Sequence, residues 1–305
     1  MNDAYVPERL LVPVITPFDV EGRVDEEALA SHAEAVLAAG AAGIVALATT
    51  GEASSLDDDE RAVVVRICAR VCAKHDAALV VGAGTNDTRT TIARHEALAD
   101  VPGVRASLAV VPYYVRPSET AIVRHFQAVA ARSPVPLIVY NIPYRTGRGL
   151  GSAALLELAR SDNVVGVKQA VGGADTDTLE LLAGAPPTFA VLGGDDAFPL
   201  PLMLMGGRGA IAASANVATS LFASMIDDGL SGDLAGGRAL AEALLPLVVA
   251  LFAEPSPAVI KGVLHAQDRI PTPSLRMPLA EGSAGAIERA TNILAGLASQ
   301  VSGVA

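Results

Sequence analysis

The feature that most constrains the fold is a rhythm: short β-branched apolar runs, each closed by a turn or polar residue and followed by a stretch of helical periodicity. Eight such runs recur, at 11–16, 43–48, 78–82, 105–111, 137–141, 164–168, 189–193 and 210–214. Their ends lie 21 to 34 residues apart, enough for one strand, one helix and a return loop. That is the spacing of successive βα units in a parallel sheet. The intervening helices are expected at 25–39, 57–74, 87–99, 118–131, 152–160, 175–183, 197–205 and 219–228. Asp25 provides a capping start and Gly40 a stop for the first, and an acidic opening turn suits the dipole of the second. Eight alternating units suit an α/β fold of the (β/α)8 TIM barrel type better than a doubly wound open sheet, which stays as the alternative.

After about residue 230 the strand signal stops. Helices are expected at 232–253, 257–267 and 284–301, so residues 1–229 read as the barrel carrying the active site and 230–305 as a C-terminal helical segment. With 51% hydrophobic residues among 305, the core is ample, and a net charge of -11 without a Lys/Arg block argues against nucleic acid or an anionic membrane as partner. Small molecules fit better. The amino terminus lacks a basic n-region and an apolar h-region, so a cytoplasmic location is expected. The uncharged stretch 35–51 is broken by two glycines and is shorter than the ~20 residues a span requires. Cys68 and Cys72 lie four apart on one helical pattern and read as buried thiols, while the five histidines show no metal-ligand spacing. No metal and no cofactor are expected.

Chemistry is best sought at the three lysines. Lys74 sits in a helical pattern as a solvated charge, and Lys261 reads as a helix-surface residue. Lys168 differs, because it ends the apolar run Val164-Val165-Gly166-Val167-Lys168. An ammonium there is desolvated, which lowers its pKa and makes the amine a nucleophile suited to Schiff-base formation with a carbonyl. A lysine that merely reaches from a strand end to solvent is the competing reading. In a barrel, the carboxyl ends of the strands converge on one face. There the second run delivers Thr49-Thr50-Gly51-Glu52, whose successive amides can hold a carboxylate. The fourth and fifth deliver Tyr113-Tyr114 and Tyr140-Asn141-Ile142-Pro143-Tyr144-Arg145, four of the five tyrosines. Phenols beside an amine can shuttle protons, and Arg145 offers a bidentate grip on a carboxylate.

Together with Gly193-Gly194-Asp195-Asp196 and Gly206-Gly207-Arg208-Gly209-Ala210-Ile211, these motifs resemble the dihydrodipicolinate synthase / N-acetylneuraminate lyase family of pyruvate-dependent class I aldolases over nearly the whole chain. The resemblance implies that Lys168 forms an imine with pyruvate and that Tyr140 transfers protons above it. It implies that Thr49 links Tyr140 to Tyr114, which in this family reaches in from a neighbouring subunit, so a homodimer or a tetramer built of dimers is expected. Thr49 and Thr50 would hold the pyruvate carboxylate, with Gly194 and Ile211 lining the pocket. Arg145 matches the arginine that binds aspartate semialdehyde in the synthase branch. The implied reaction is condensation of pyruvate with that small aldehyde acid to 4-hydroxy-tetrahydrodipicolinate. The alternative is an aldolase or dehydratase of the same family acting on a 2-keto-3-deoxy sugar acid or hydroxy-oxo acid.

Two positions depart from the pattern: Ala53 where Ser is frequent, and Gln169 where Glu is common after the lysine. Ala53, Asp58, Arg61, Asn86, Thr90 and Tyr113 stand where lysine-inhibited members carry their allosteric contacts. The resemblance therefore implies weak or absent inhibition by lysine. A nicotinamide-binding alternative rests on Gly82-Ala83-Gly84, which lacks the third glycine of the dinucleotide fingerprint.

Overall fold

The computed structural model describes residues 5–302. Eight parallel strands close on themselves: β1 (Arg9–Pro13), β2 (Gly43–Ala46), β3 (Ala78–Gly82), β4 (Val104–Val110), β5 (Leu137–Asn141), β6 (Val164–Gln169), β7 (Ala190–Gly193) and β8 (Gly209–Ile211). The barrel is sealed where Leu10 of β1 stands beside Ala210 of β8. Its interior is packed by one set of alternating side chains, among them Leu11, Val45, Val80, Ile138, Leu192 and Ile211, so it is a filled core with no pore. The other set faces the helical ring, which explains why the strands read as unbroken apolar runs.

The ring is formed by α1 (Glu26–Ala38), α2 (Asp58–His75), α3 (Thr88–Glu96), α4 (Glu119–Ala130), a single turn α5 (Pro143–Thr146), α6 (Ser152–Leu158), α7 (Thr176–Gly184), α8 (Pro199–Leu204) and α9 (Ala215–Ser231). Side chains of Asp25, Asp57, Asp87, Ser118 and Asp175 each accept a backbone N–H at a helix start. At α2, Glu60 closes a reciprocal capping box with Asp57. Three more helices follow: α10 (Leu234–Leu251), α11 (Ala258–Ala266) and α12 (Ala284–Ser302). By length and composition alone α10 is apolar enough to cross a membrane, but it packs against α9 and α12, with 33% of its residues buried. Cys68 and Cys72 are free, buried thiols on α2.

The strands that stop furthest short of the expected runs are β1 and β8, by three residues each. β1 ends at Pro13, three residues before the predicted end, because the next backbone groups bond to a side chain: Asn216 Oδ1 accepts the Ile15 N–H at 3.3 Å and Asn216 Nδ2 donates to the Pro13 carbonyl at 3.0 Å. β8 ends at Ile211, since the amides of Ala213 and Ser214 turn inward to the Asp196 carboxylate.

Candidate active site

Neighbouring strands β5 and β6 are in register with Tyr140 opposite Lys168, so both side chains point into the barrel at the same level. Lys168 Nζ lies 4.3 Å from the centroid of the Tyr140 ring, and both residues are buried. With only 5% of Lys168 exposed, desolvation lowers its pKa from 10.5 to about 8. The carboxylates of Asp196 and Asp195 oppose that shift, and the positive Arg145 assists it. At pH 7 about a tenth of the amine is neutral, against well under a thousandth for a free lysine. Burial pushes the Tyr140 phenol far above its ordinary range, although Arg145 and a hydrogen bond with the Thr49 side chain pull the other way. A neutral phenol therefore stands over an amine that is readily deprotonated.

The turn after β7 brings up Gly194, Asp195 and Asp196. Gly194 donates its N–H to the Gln169 carbonyl at 2.8 Å, and a Cβ there would stand 3.0 Å from Lys168 Cγ, so the missing side chain is what lets the lysine stem pass. Asp195 accepts the Gly172 N–H at 2.7 Å, and the buried Asp196 accepts those of Ala213 at 3.1 Å and Ser214 at 2.5 Å. Burial raises the pKa of each carboxyl. Gln169 points the opposite way from Lys168. Its Oε1 accepts from Asn141 Nδ2 at 3.0 Å and its Nε2 donates to Thr178 Oγ1 at 3.1 Å. The departure at that position thus concerns the join between barrel and α7 and leaves the chamber itself unaltered.

After β2 the chain makes a 3-10 turn over Thr49–Gly51, which buries Thr50 and keeps Thr49 at the mouth. Glu52 follows in the left-handed region, at φ 52°, with its carboxylate buried. Here one expectation is overturned. Lys261 is not on a helix surface: it has 0% exposure, and its Nζ donates to Glu52 Oε1 at 2.8 Å and to the Thr16 carbonyl at 2.9 Å. Its helix is apolar on nearly every side, and the ammonium persists there because it is paired. Lys74, in contrast, is solvent-exposed and pairs with Glu34 at 2.8 Å.

A cavity of about 390 Å³ opens beside Tyr140 and is lined also by Thr49, Gly84, Tyr113, Ile142 and Arg145. Arg145 is exposed at its rim, with its guanidinium carbon 5.5 Å from the Tyr144 ring centroid. Ile211 is wholly buried at the end of β8 among the interior side chains. Lys168, Tyr140, Thr49, Thr50, Gly194, Arg145 and Ile211 thus gather at or just below one end of the barrel. Tyr114 does not join them: it is 87% exposed, with φ 70°. The two aspartates were visible in the sequence only as part of a motif, and Lys261 gave no signal except its position in an otherwise apolar helix.

The chain as a whole is similar to known proteins. A profile of the dihydrodipicolinate synthetase family matches residues 6–296. The chain belongs to that family. The 4-hydroxy-tetrahydrodipicolinate synthase of Neisseria meningitidis serogroup C (strain 053442) is 40% identical over 269 residues, 88% of this chain and 91% of the relative. Among solved structures, the 4-hydroxy-tetrahydrodipicolinate synthase of Methylacidiphilum fumariolicum SolV superposes with a TM-score of 0.92 at 30% identity, covering 98% of each chain. The chloride-inhibited dihydrodipicolinate synthase of Acinetobacter baumannii, complexed with pyruvate, gives 0.91 at 32% identity, covering 95% of this chain and 99% of the other. These structural neighbours are TIM barrels, in agreement with the closed eight-stranded barrel found here.

Proposed function

We propose that this chain is a 4-hydroxy-tetrahydrodipicolinate synthase, condensing pyruvate with aspartate semialdehyde on Lys168. The observation that carries the reading is the pairing of a buried, pKa-lowered amine with a neutral phenol whose ring centroid is 4.3 Å from it, at a barrel mouth rimmed by an arginine. The neutral Lys168 amine attacks the keto carbon of pyruvate, and loss of one water gives the imine. Removal of a methyl proton converts it to an enamine, whose carbon bonds to the aldehyde carbon of the semialdehyde while the aldehyde oxygen takes a proton. The semialdehyde's own amino group then displaces Lys168 from the imine carbon, closing the ring and freeing the enzyme, so one water is lost overall.

Tyr140 gives and recovers the protons, with Thr49 connecting it to Tyr114 of a second copy. That role accounts for a tyrosine left in solvent by its own chain, and it makes the working unit a homodimer or a tetramer of such dimers. The Thr49-Thr50 turn holds the pyruvate carboxylate, Gly194 and Ile211 bound the same pocket, and Arg145 holds the carboxylate of the semialdehyde. Residues 1–229 form the catalytic barrel and 230–305 a helical segment that braces it, and the enzyme works in the cytoplasm. No metal or cofactor enters the scheme. Turnover with aspartate semialdehyde, compared with a panel of aldehydes and with cleavage of 2-keto-3-deoxy sugar acids, tests it. The semialdehyde should be preferred by roughly 100-fold or more in kcat/KM. Preference for a sugar acid would overturn the assignment of the acceptor.

A further inference from the structure

The turn carrying Thr49 and Thr50 has no strand partners of its own, yet it is pinned from beneath at two successive residues. The Gly51 carbonyl accepts a hydrogen bond from Thr16 Oγ1 at 2.8 Å. Next to it, the Glu52 carboxylate accepts Lys261 Nζ on one oxygen at 2.8 Å and the Arg276 backbone N–H on the other at 2.9 Å. Lys261 belongs to α11, and Arg276 to the loop that follows it, so both fix the turn from the C-terminal segment. Both cations also lie over Phe18, Lys261 Nζ at 4.2 Å and the Arg276 guanidinium at 4.5 Å from its ring centroid. The Arg276 side chain continues to Glu60, at the start of α2, and to the Ser55 carbonyl at 2.9 Å.

An ion pair buried this completely recovers little of its desolvation cost, and an apolar pair of similar volume commonly serves stability as well or better. Glu52 is also a non-glycine residue held in a left-handed backbone, a conformation that persists only where the surroundings over-determine it. The residues at stake lie two and three positions before it: Thr50, buried in the turn, and Thr49, which lines the same cavity as Tyr140.

We infer that Glu52 and Lys261 are positioning residues: their pair locks the Thr49-Thr50 turn in the geometry that receives the keto acid's carboxylate and aims Thr49 at Tyr140. The C-terminal helices are in this way coupled to pyruvate binding without touching pyruvate. The inference rests on the proposed reading of the site. It separates from that reading because it concerns how well pyruvate is held, not whether an imine can form.

The test uses the full chain and two variants that leave no buried charge unpaired. Thr16→Val removes the clamp on Gly51 and keeps the ion pair. The double variant Glu52→Gln, Lys261→Met replaces the pair with uncharged groups of similar length. For each, the melting temperature, the KM for pyruvate, the KM for the aldehyde acid and the rate of borohydride-trapped pyruvyl adduct formation are measured. A positioning role predicts that both fold with melting temperatures near wild type, while the pyruvate KM rises roughly tenfold or more and adduct formation slows to match. The KM for the aldehyde acid should change by less than about twofold, since Arg145 is untouched. If the double variant does not fold, Glu52→Asp, which keeps the charge but shortens its reach to Lys261 by one methylene, takes its place beside Thr16→Val. Wild-type pyruvate KM in the folded variants would overturn the inference, as would equal losses for both substrates. A wild-type chain that forms no adduct would overturn the site reading and this inference together, whereas a wild-type adduct with unaltered variants overturns the inference alone.

Discussion

Gly194→Ala adds one carbon to the tightest point of the site. That Cβ would fall 2.8 Å from Ala170 Cβ, 3.0 Å from the Gln169 carbonyl oxygen and 3.0 Å from Lys168 Cγ. Carbon atoms in ordinary contact stand about 3.5–4.0 Å apart, so the closest overlap approaches an ångström. Two of the three neighbours cannot yield cheaply: the Gln169 carbonyl accepts the Gly194 N–H itself, and Ala170 is fully buried. The remaining relief is to move the turn outward or to swing the Lys168 stem away from Tyr140. Overpacking of this kind costs roughly 1–3 kcal/mol of stability. Displacing a reacting amine by about 1 Å costs on the order of 100-fold in rate. Steady-state kcat/KM for pyruvate, thermal melts and adduct trapping measured on one preparation separate the two effects. A variant with kcat/KM within twofold of wild type and an unshifted melt would show that Gly194 does not set the position of Lys168, and the packing argument would fail.

Other outcomes follow from the same geometry. Attack on pyruvate requires the neutral Lys168 amine and burial lowers its pKa to about 8, so kcat/KM for pyruvate should rise with pH along a limb centred near pH 8; a limb near 10 would contradict the burial argument. Between about pH 8 and 10.5 the unfolded chain binds more protons at this residue than the folded one, so its burial penalty is full below that window and disappears above it. Lys168→Met should therefore be inactive yet more stable near pH 7, by a few kcal/mol at most, and a lower melting temperature than wild type would refute this. Arg145→Leu should raise the KM for the aldehyde acid roughly 10- to 100-fold while leaving pyruvate adduct formation intact. Adduct loss in that variant would place Arg145 on pyruvate instead. Millimolar lysine should leave turnover unchanged, and an inhibition curve with a micromolar midpoint would refute the reading of Ala53, Arg61 and Thr90.

The barrel was legible because each parallel strand is buried on both faces and leaves an uninterrupted apolar run, while aspartates and a serine mark the helix starts. The largest departures fell at β1 and β8, where apolar residues continue but the backbone bonds pass to the side chains of Asn216 and Asp196, partners far away in sequence. Lys168 and Tyr140 were readable for a local reason, since each sits at the end of a strand and adjacent strands end together. Lys261 was not. Its partner Glu52 is 209 positions away, and nothing near either residue announces the other. The apolar neighbours Val259, Ile260, Val263 and Leu264 were the one available hint that a lysine among them must be buried. Tyr114 illustrates a different limit: it is exposed on its own chain, whose packing carries no mark of the contact proposed for it with a second copy.

Capture of a keto acid by the desolvated Lys168 amine can be read by mass spectrometry. Wild-type protein treated with pyruvate and borohydride should gain the mass of one reduced pyruvyl group per chain, mapped by peptide digestion to Lys168, and Lys168→Arg should gain none. An adduct located on another lysine, or undiminished in the arginine variant, would contradict the account.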